Sequence, residues 1–298
     1  MRKKTLLLGN GLNRTLEGSL SWSTLMELLG GRKIDSSLVP FPIQFEQIAA
    51  ERGVSIGRRR TDPYNELRKD LKRIVENSES QPGEAHLAFR NIAMDHVITT
   101  NYDLVFESMY DCKLLITKPS SYKNYLTAVY KTQSIDFFHA HGVVKWQRTM
   151  CLSHEHYISL ISKIRREFFK SESDENEEIF TGIVRQQKGA TGTWPELLFT
   201  TDVAIVGLGL DFSEIDLWWL LAQRAAVFAP CHELTSRENR IVYYYIDKEG
   251  EREGNPQRES KLAALQALGV EPVAIPSTSY LEGYKQIARK LAEEWGTR

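Results

Sequence analysis

The sequence predicts an α/β fold, a Rossmann-like parallel sheet covered by helices, and three observations carry that prediction. Short apolar runs alternate with stretches of helical spacing, as in strands joined by crossover helices. Two of the runs end in glycine turns, Gly9-Asn10-Gly11 and Gly207-Leu208-Gly209. The chain has 298 residues, 42% hydrophobic and 26% charged, which suits one large globular domain, expected over 1–298.

The elements follow in order. Thr5 to Leu8 is a first strand, an apolar run stopped by Gly9. Ser23 to Leu29 has helical spacing after the serines at 21 and 23. From about 31 to 95 no strand pattern appears, and Leu67, Leu71, Ile74 and Val75 are spaced for a helix, so this interval reads as a helical insertion holding the basic run Arg58, Arg59 and Arg60. Val97 to Thr99 is a second strand, followed by a predicted helix over Tyr102 to Met109. A second insertion runs from about 152 to 195, with a helix from Glu155 to Phe169 and an acidic stretch from Glu172 to Glu178. Together the insertions form a smaller helical layer. Val203 to Val206, Ile241 to Ile246 and Val273 to Ile275 supply three more strands, and Glu214 to Phe228, Gln257 to Leu268 and Ser279 to Trp295 the helices after them.

Composition excludes several classes. Thirty-eight basic against thirty-nine acidic side chains leave a net charge of -1, so there is no whole-molecule field for nucleic acid or an anionic membrane. The cysteines at 112, 151 and 231 make no CxxC pair, so neither a zinc ribbon nor a disulfide framework is expected, and a reducing cytoplasm fits. The apolar run at Leu6 to Leu8 is too short for a signal peptide, and no window reaches the roughly 18 apolar residues of a membrane span.

Chemistry concentrates where strands end. Glycines at Gly9 and Gly11 allow backbone N–H groups to approach a phosphate, although Arg14 breaks the usual dinucleotide spacing. Thr100, Asn101 and Asp103 sit past the second strand, at the edge where open α/β sheets bind ligands; helix capping is the alternative role for Asn101 and Asp103. Asp136 to Gly142 reads DFFHAHG, and strict alternation puts His139 and His141 on one face. Neither that pair nor His154 with His156 completes a recognisable metal-ligand set. Gly207 and Gly209 repeat the glycine turn, with Asp211 and Asp216 as acidic helix-start residues, and Asp247 ends the fourth strand.

These segments in this order resemble the sirtuin superfamily, and within it the bacterial sirtuin-like domains of antiphage defence proteins. The residues that carry the resemblance are Gly9 to Asn13 with Gly18 and Trp22, Thr100 to Asp103, His141-Gly142, Gly207 to Gly209, and Ile246-Asp247. It implies NAD as substrate, with Gly9, Asn10, Gly11 and Asn13 at the phosphates and Asn101 and Asp103 at the nicotinamide ribose. It further implies His141 as general base, a choice also favoured by the adjoining Gly142, and Gly207, Gly209 and Asp247 at the adenosine half. Two departures bear on activity: the four zinc-binding cysteines of the deacylating sirtuins are absent, and Ser21-Trp22-Ser23 stands where those enzymes have Asp-Phe-Arg.

The resulting expectation is a metal-free NAD hydrolase, cytoplasmic, releasing nicotinamide and ADP-ribose as a regulated effector that depletes NAD in bacterial antiphage defence. Such an enzyme must be silent until triggered, so a homo-oligomer or a complex with a separate sensor protein is expected. Two alternatives stand beside it: an NAD-dependent deacylase or ADP-ribosyltransferase, and a nucleotide-binding interaction subunit without turnover.

Overall fold

The computed structural model describes residues 2–33, 39–54, 64–78, 81–115, 126–168, 192–229, 239–248 and 256–298. The arginine run at 58–60, the acidic stretch at 172–178 and Cys231 lie outside the described residues.

The central strands are β1 (Lys4–Leu8), β2 (His96–Thr99), β5 (Asp136–His139), β6 (Asp202–Val206), β7 (Ile241–Lys248) and β8 (Glu271–Ser277), all parallel, in the order β5-β2-β1-β6-β7-β8. Two short strands, β3 (Lys113–Leu114) and β4 (Tyr130–Lys131), extend the β5 edge in antiparallel fashion, making eight strands among the described residues. Helices α1 (Trp22–Gly30), α2 (Phe41–Glu51), α3 (Asn65–Asn77) and α4 (Glu84–Phe89) fall between β1 and β2. After β5 come α5 (His154–Phe168), α6 (Trp194–Thr200), α7 (Ile215–Val227), α8 (Pro256–Ala267) and α9 (Tyr280–Trp295). The architecture is α/β and Rossmann-like.

Strand periodicity divides the core. Leu7, Ile98, Phe138, Ile205 and Tyr243 point to one face, against α5, α6 and α7. Leu6, Leu8, Val97, Phe137, Ala204 and Val242 point to the other, against α4 and α9. Period-two alternation of apolar side chains on both faces is what a sheet covered on both sides requires, and each buried leucine contributes about 1.5–3 kcal/mol. A third cluster joins α1, α2 and α3 through Leu25, Met26, Phe45, Leu67 and Leu71, and meets the sheet edge at Tyr102 and Leu152.

Three expectations are corrected. No helix forms over Tyr102 to Met109; only a short 3-10 turn spans Glu107–Met109. The backbone is diverted there because the Asp103 carboxylate accepts the Val105 N–H at 3.0 Å and the Tyr102 carbonyl accepts the Val144 N–H at 2.8 Å. Asp247 does not end β7, which continues to Lys248 because β8 pairs with it through Ser277. The two histidines of DFFHAHG do not share partners on one face: β5 stops at His139, and the chain turns before Gly142, whose φ of 90° suits only glycine.

The chain runs from β1 outward to β2 and β5, then returns to place β6 on the other side of β1. That reversal opens a crevice at the carboxyl ends of β1, β2 and β6, the usual ligand position in such sheets.

Candidate active site

The two glycine turns lean on each other at this edge. The Gly9 N–H donates to the Val206 carbonyl at 3.0 Å and the Gly11 N–H to the Gly207 carbonyl at 2.7 Å. A Cβ at Gly9 would lie 2.4 Å from the Leu208 Cα, and one at Gly11 would lie 2.6 Å from the Gly207 Cα, so both glycines are required by backbone packing. Both N–H groups, expected from the sequence to approach a phosphate, here donate inside the protein. Gly207 adopts a φ of 64°, in the left-handed region. Gly209 is exposed, with open space beside it, and its carbonyl accepts from Lys261 at 2.7 Å.

Beside these turns lies a cleft open to solvent. Asn10, Asn13, Asn101 and Asp103 contribute its polar lining, and Trp22, Leu25 and Val75 an apolar wall. Four residues singled out in the sequence thus meet in one place. Thr100 is buried, its N–H on the Leu8 carbonyl, while Gly207, Gly209 and Asp247 are not among the lining residues; Asp247 pairs instead with Arg258 at 3.3 Å.

Asn10, Asn13 and Asp103 form one connected network. Asn13 Nδ2 donates to Asn10 Oδ1 and to Asp103 Oδ2, each at 2.9 Å. Asn10 Nδ2 donates to the Leu20 carbonyl at 2.8 Å, tying the β1 turn to the start of α1. Burial pushes the Asp103 carboxyl above its ordinary range, opposed by its bond from the Val105 N–H. Behind Asn13 stands His86, fully buried on α4, with Nε2 2.8 Å from Asn13 Oδ1. The sequence reading missed it, because one histidine on an amphipathic helix carries no spacing signal.

The two histidines after β5 diverge. His139 Nδ1 donates to the Asn101 carbonyl at 3.0 Å and its Nε2 lies 3.0 Å from Glu107 Oε1, so it braces the backbone under Asn101. His141 Nε2 lies 3.0 Å from Asp216 Oδ2, both side chains buried. Burial opposes protonation of each ring, but the Glu107 and Asp216 carboxylates outweigh it and raise both. Asp216 and Glu214, read in the sequence only as a helix start, therefore belong to the surroundings of His141. Burial, with Asp216 and Asp211 adding to it and His141 opposing, pushes Glu214 up to about 7.

His141 is 2% exposed and does not line the cleft. Ring contacts connect the two: Trp22 stacks on Phe41 at 4.5 Å, Phe41 meets Tyr157 edge-on at 6.2 Å, and Tyr157 meets His141 at 5.2 Å. Among the described residues, no group of three or more His, Cys, Asp or Glu side chains is placed to hold a metal ion, and no helix is long and apolar enough to cross a membrane.

Residues 95–193 match the family model of a SIR2-like domain, about a third of the chain. The matched segment contains Asn101, Asp103, His139 and His141. The match supports a sirtuin-like domain and NAD-related chemistry in general. A comparison with curated proteins returns no match.

Proposed function

We propose that the chain is an NAD hydrolase that cleaves the bond between nicotinamide and ribose, giving nicotinamide, ADP-ribose and a proton. The observation that carries this reading is the convergence of Asn101 and Asp103, inside the SIR2-like segment, on a cleft with one apolar wall at the carboxyl edge of the sheet. The residues fit the ligand chemically. A carboxylate beside an aromatic and aliphatic wall suits a flat cationic ring, and the amides of Asn10 and Asn13 suit hydroxyl and carboxamide groups.

Bond breaking here builds positive charge on the ribose and sends the electron pair of the C–N bond to the nicotinamide nitrogen. Asp103 complements that charge in a water-poor site. Asn101 orients the attacking water or the carboxamide. His141 accepts the proton that water or a ribose hydroxyl gives up, a role worth roughly a hundred- to ten-thousand-fold. Because Asp216 occupies its Nε2, His141 acts through Nδ1. For buried His141 to reach the substrate, the rings of Trp22, Phe41 and Tyr157 that lie between it and the cleft have to part.

The resemblance to defence effectors supports the further reading that this activity depletes NAD during phage infection, held silent by self-association or a sensor protein. The test is incubation of the purified chain with NAD, alone and with an acylated peptide, followed by chromatography. Nicotinamide and ADP-ribose in equal amounts without peptide support hydrolysis. Nicotinamide formed only with peptide, alongside an acylated ADP-ribose, overturns it in favour of deacylation.

A further inference from the structure

We infer that His86 is a positioning residue: through its Nε2–H it locks the amide of Asn13, and through Asn13 the carboxylate of Asp103, in the orientation the cleft uses. This rests on the NAD-cleavage reading for its kinetic consequence but not for its geometry.

The geometry determines the tautomer. The Gly83 N–H points at His86 Nδ1 at 3.3 Å, so Nδ1 accepts and carries no proton. Nε2 must then hold the proton of the neutral ring, and it faces Asn13 Oδ1 at 2.8 Å as donor. The ring is neutral because burial pushes it down to about 4. With Oδ1 of Asn13 taken, only Nδ2 can face forward, and it donates both its protons, to Asn10 Oδ1 and Asp103 Oδ2 at 2.9 Å. An inverted Asn13 amide would set oxygen against the Asp103 carboxylate and nitrogen against the His86 N–H. A single proton on a buried ring thus decides which way the Asn13 amide faces, and with it what Asn10 and Asp103 are offered as a partner; His86 is 0% exposed and reaches none of the cleft itself.

The two nitrogens have separable roles. Nδ1 ties the start of α4, a matter of local stability, whereas Nε2 acts on Asn13. Substitution can keep one and lose the other. His86→Asn retains an acceptor near Gly83 but is too short to reach Asn13. His86→Gln reaches Asn13 with an amide donor.

The experiment measures NAD affinity, nicotinamide release and melting temperature for the wild type, His86→Asn, His86→Gln and Asn13→Ala, and for Asn13→Ala combined with His86→Asn. Expected is a loss of about tenfold or more in kcat/KM for His86→Asn, recovery to within about threefold in His86→Gln, and no added loss when His86→Asn is placed on Asn13→Ala. A merely structural role would make activity follow melting temperature across the set and would make the two losses add. Either result overturns the inference. Nitrogen-15 spectra of the histidine rings test its premise independently of turnover: His86 should show the neutral Nε2–H form from pH 6 to 8, and an Nδ1–H form or an imidazolium contradicts it. If the wild type releases no nicotinamide, the hydrolase reading fails. Wild-type turnover with undiminished His86→Asn sinks only the positioning role.

Discussion

At the scale of single residues, the environments of the two β5 histidines assign them different consequences. His141→Ala should remove turnover while NAD still binds, because a general base acts on the transition state more than on the ground-state complex. His139→Ala should act first on stability: it strands the Glu107 carboxylate, 4% exposed, without its 3.0 Å partner, at a cost of about 3–5 kcal/mol. Titration of NAD against each variant, with chemical denaturation alongside, separates them. A fully active His141→Ala would move the proton-accepting role elsewhere. Glu214 gives a pH signature. Its carboxyl, raised from 4.5 to about 7, holds its proton longer in the folded than in the unfolded chain. Its contribution to stability is therefore fully present below about pH 4.5 and lost as pH rises through about 7. Glu214→Gln should flatten the fall in melting temperature across that window, and an unchanged slope would count against the raised carboxyl.

At the scale of elements, the packed glycine turns make the sharpest contrast. Gly11→Ala sets a methyl 2.6 Å from the Gly207 Cα, a backbone atom that cannot swing away, and should cost about 1–3 kcal/mol or more in urea unfolding. Gly209→Ala meets open space and should change stability by less than about 0.5 kcal/mol. Equal effects would mean that the turns do not lean on each other as described. The same elements explain what the sequence disclosed. Strands such as Lys4–Leu8 and Asp202–Val206 were legible because each holds an apolar run, Leu6 to Leu8 and Val203 to Val206, that a glycine stops. The two-residue edge strands at Lys113 and Tyr130 carry no such run. The segment from Tyr102 to Met109 has helical spacing, but Asp103 bends its backbone through a bond to Val105 that no periodicity reveals. Asn101 and Asp103 could be read from their place after a strand. His86 and Asp216 could not, because their partners Asn13 and His141 lie 73 and 75 positions away and meet them only in the fold.

At the scale of the whole molecule, the sheet reversal beside β1 gathers side chains between Asn10 and Val105 onto one edge, where the proposed reaction takes place. Elemental analysis of the purified protein should find no stoichiometric zinc, in keeping with the lack of any described cluster of three ligands; one zinc per chain would reopen a deacylase reading. In the proposed reaction this edge breaks NAD with Asn101 in a direct role. Among the described residues Asn101 Nδ2 contacts the Gly9 carbonyl at 3.4 Å, so truncating it should lower stability by about 1 kcal/mol or less. The most direct measurement is nicotinamide release from NAD by the wild type and by Asn101→Ala, each verified as folded by thermal melting. Release by the wild type and a loss of about a hundredfold or more in the variant are expected. Equal rates from two folded proteins would contradict it.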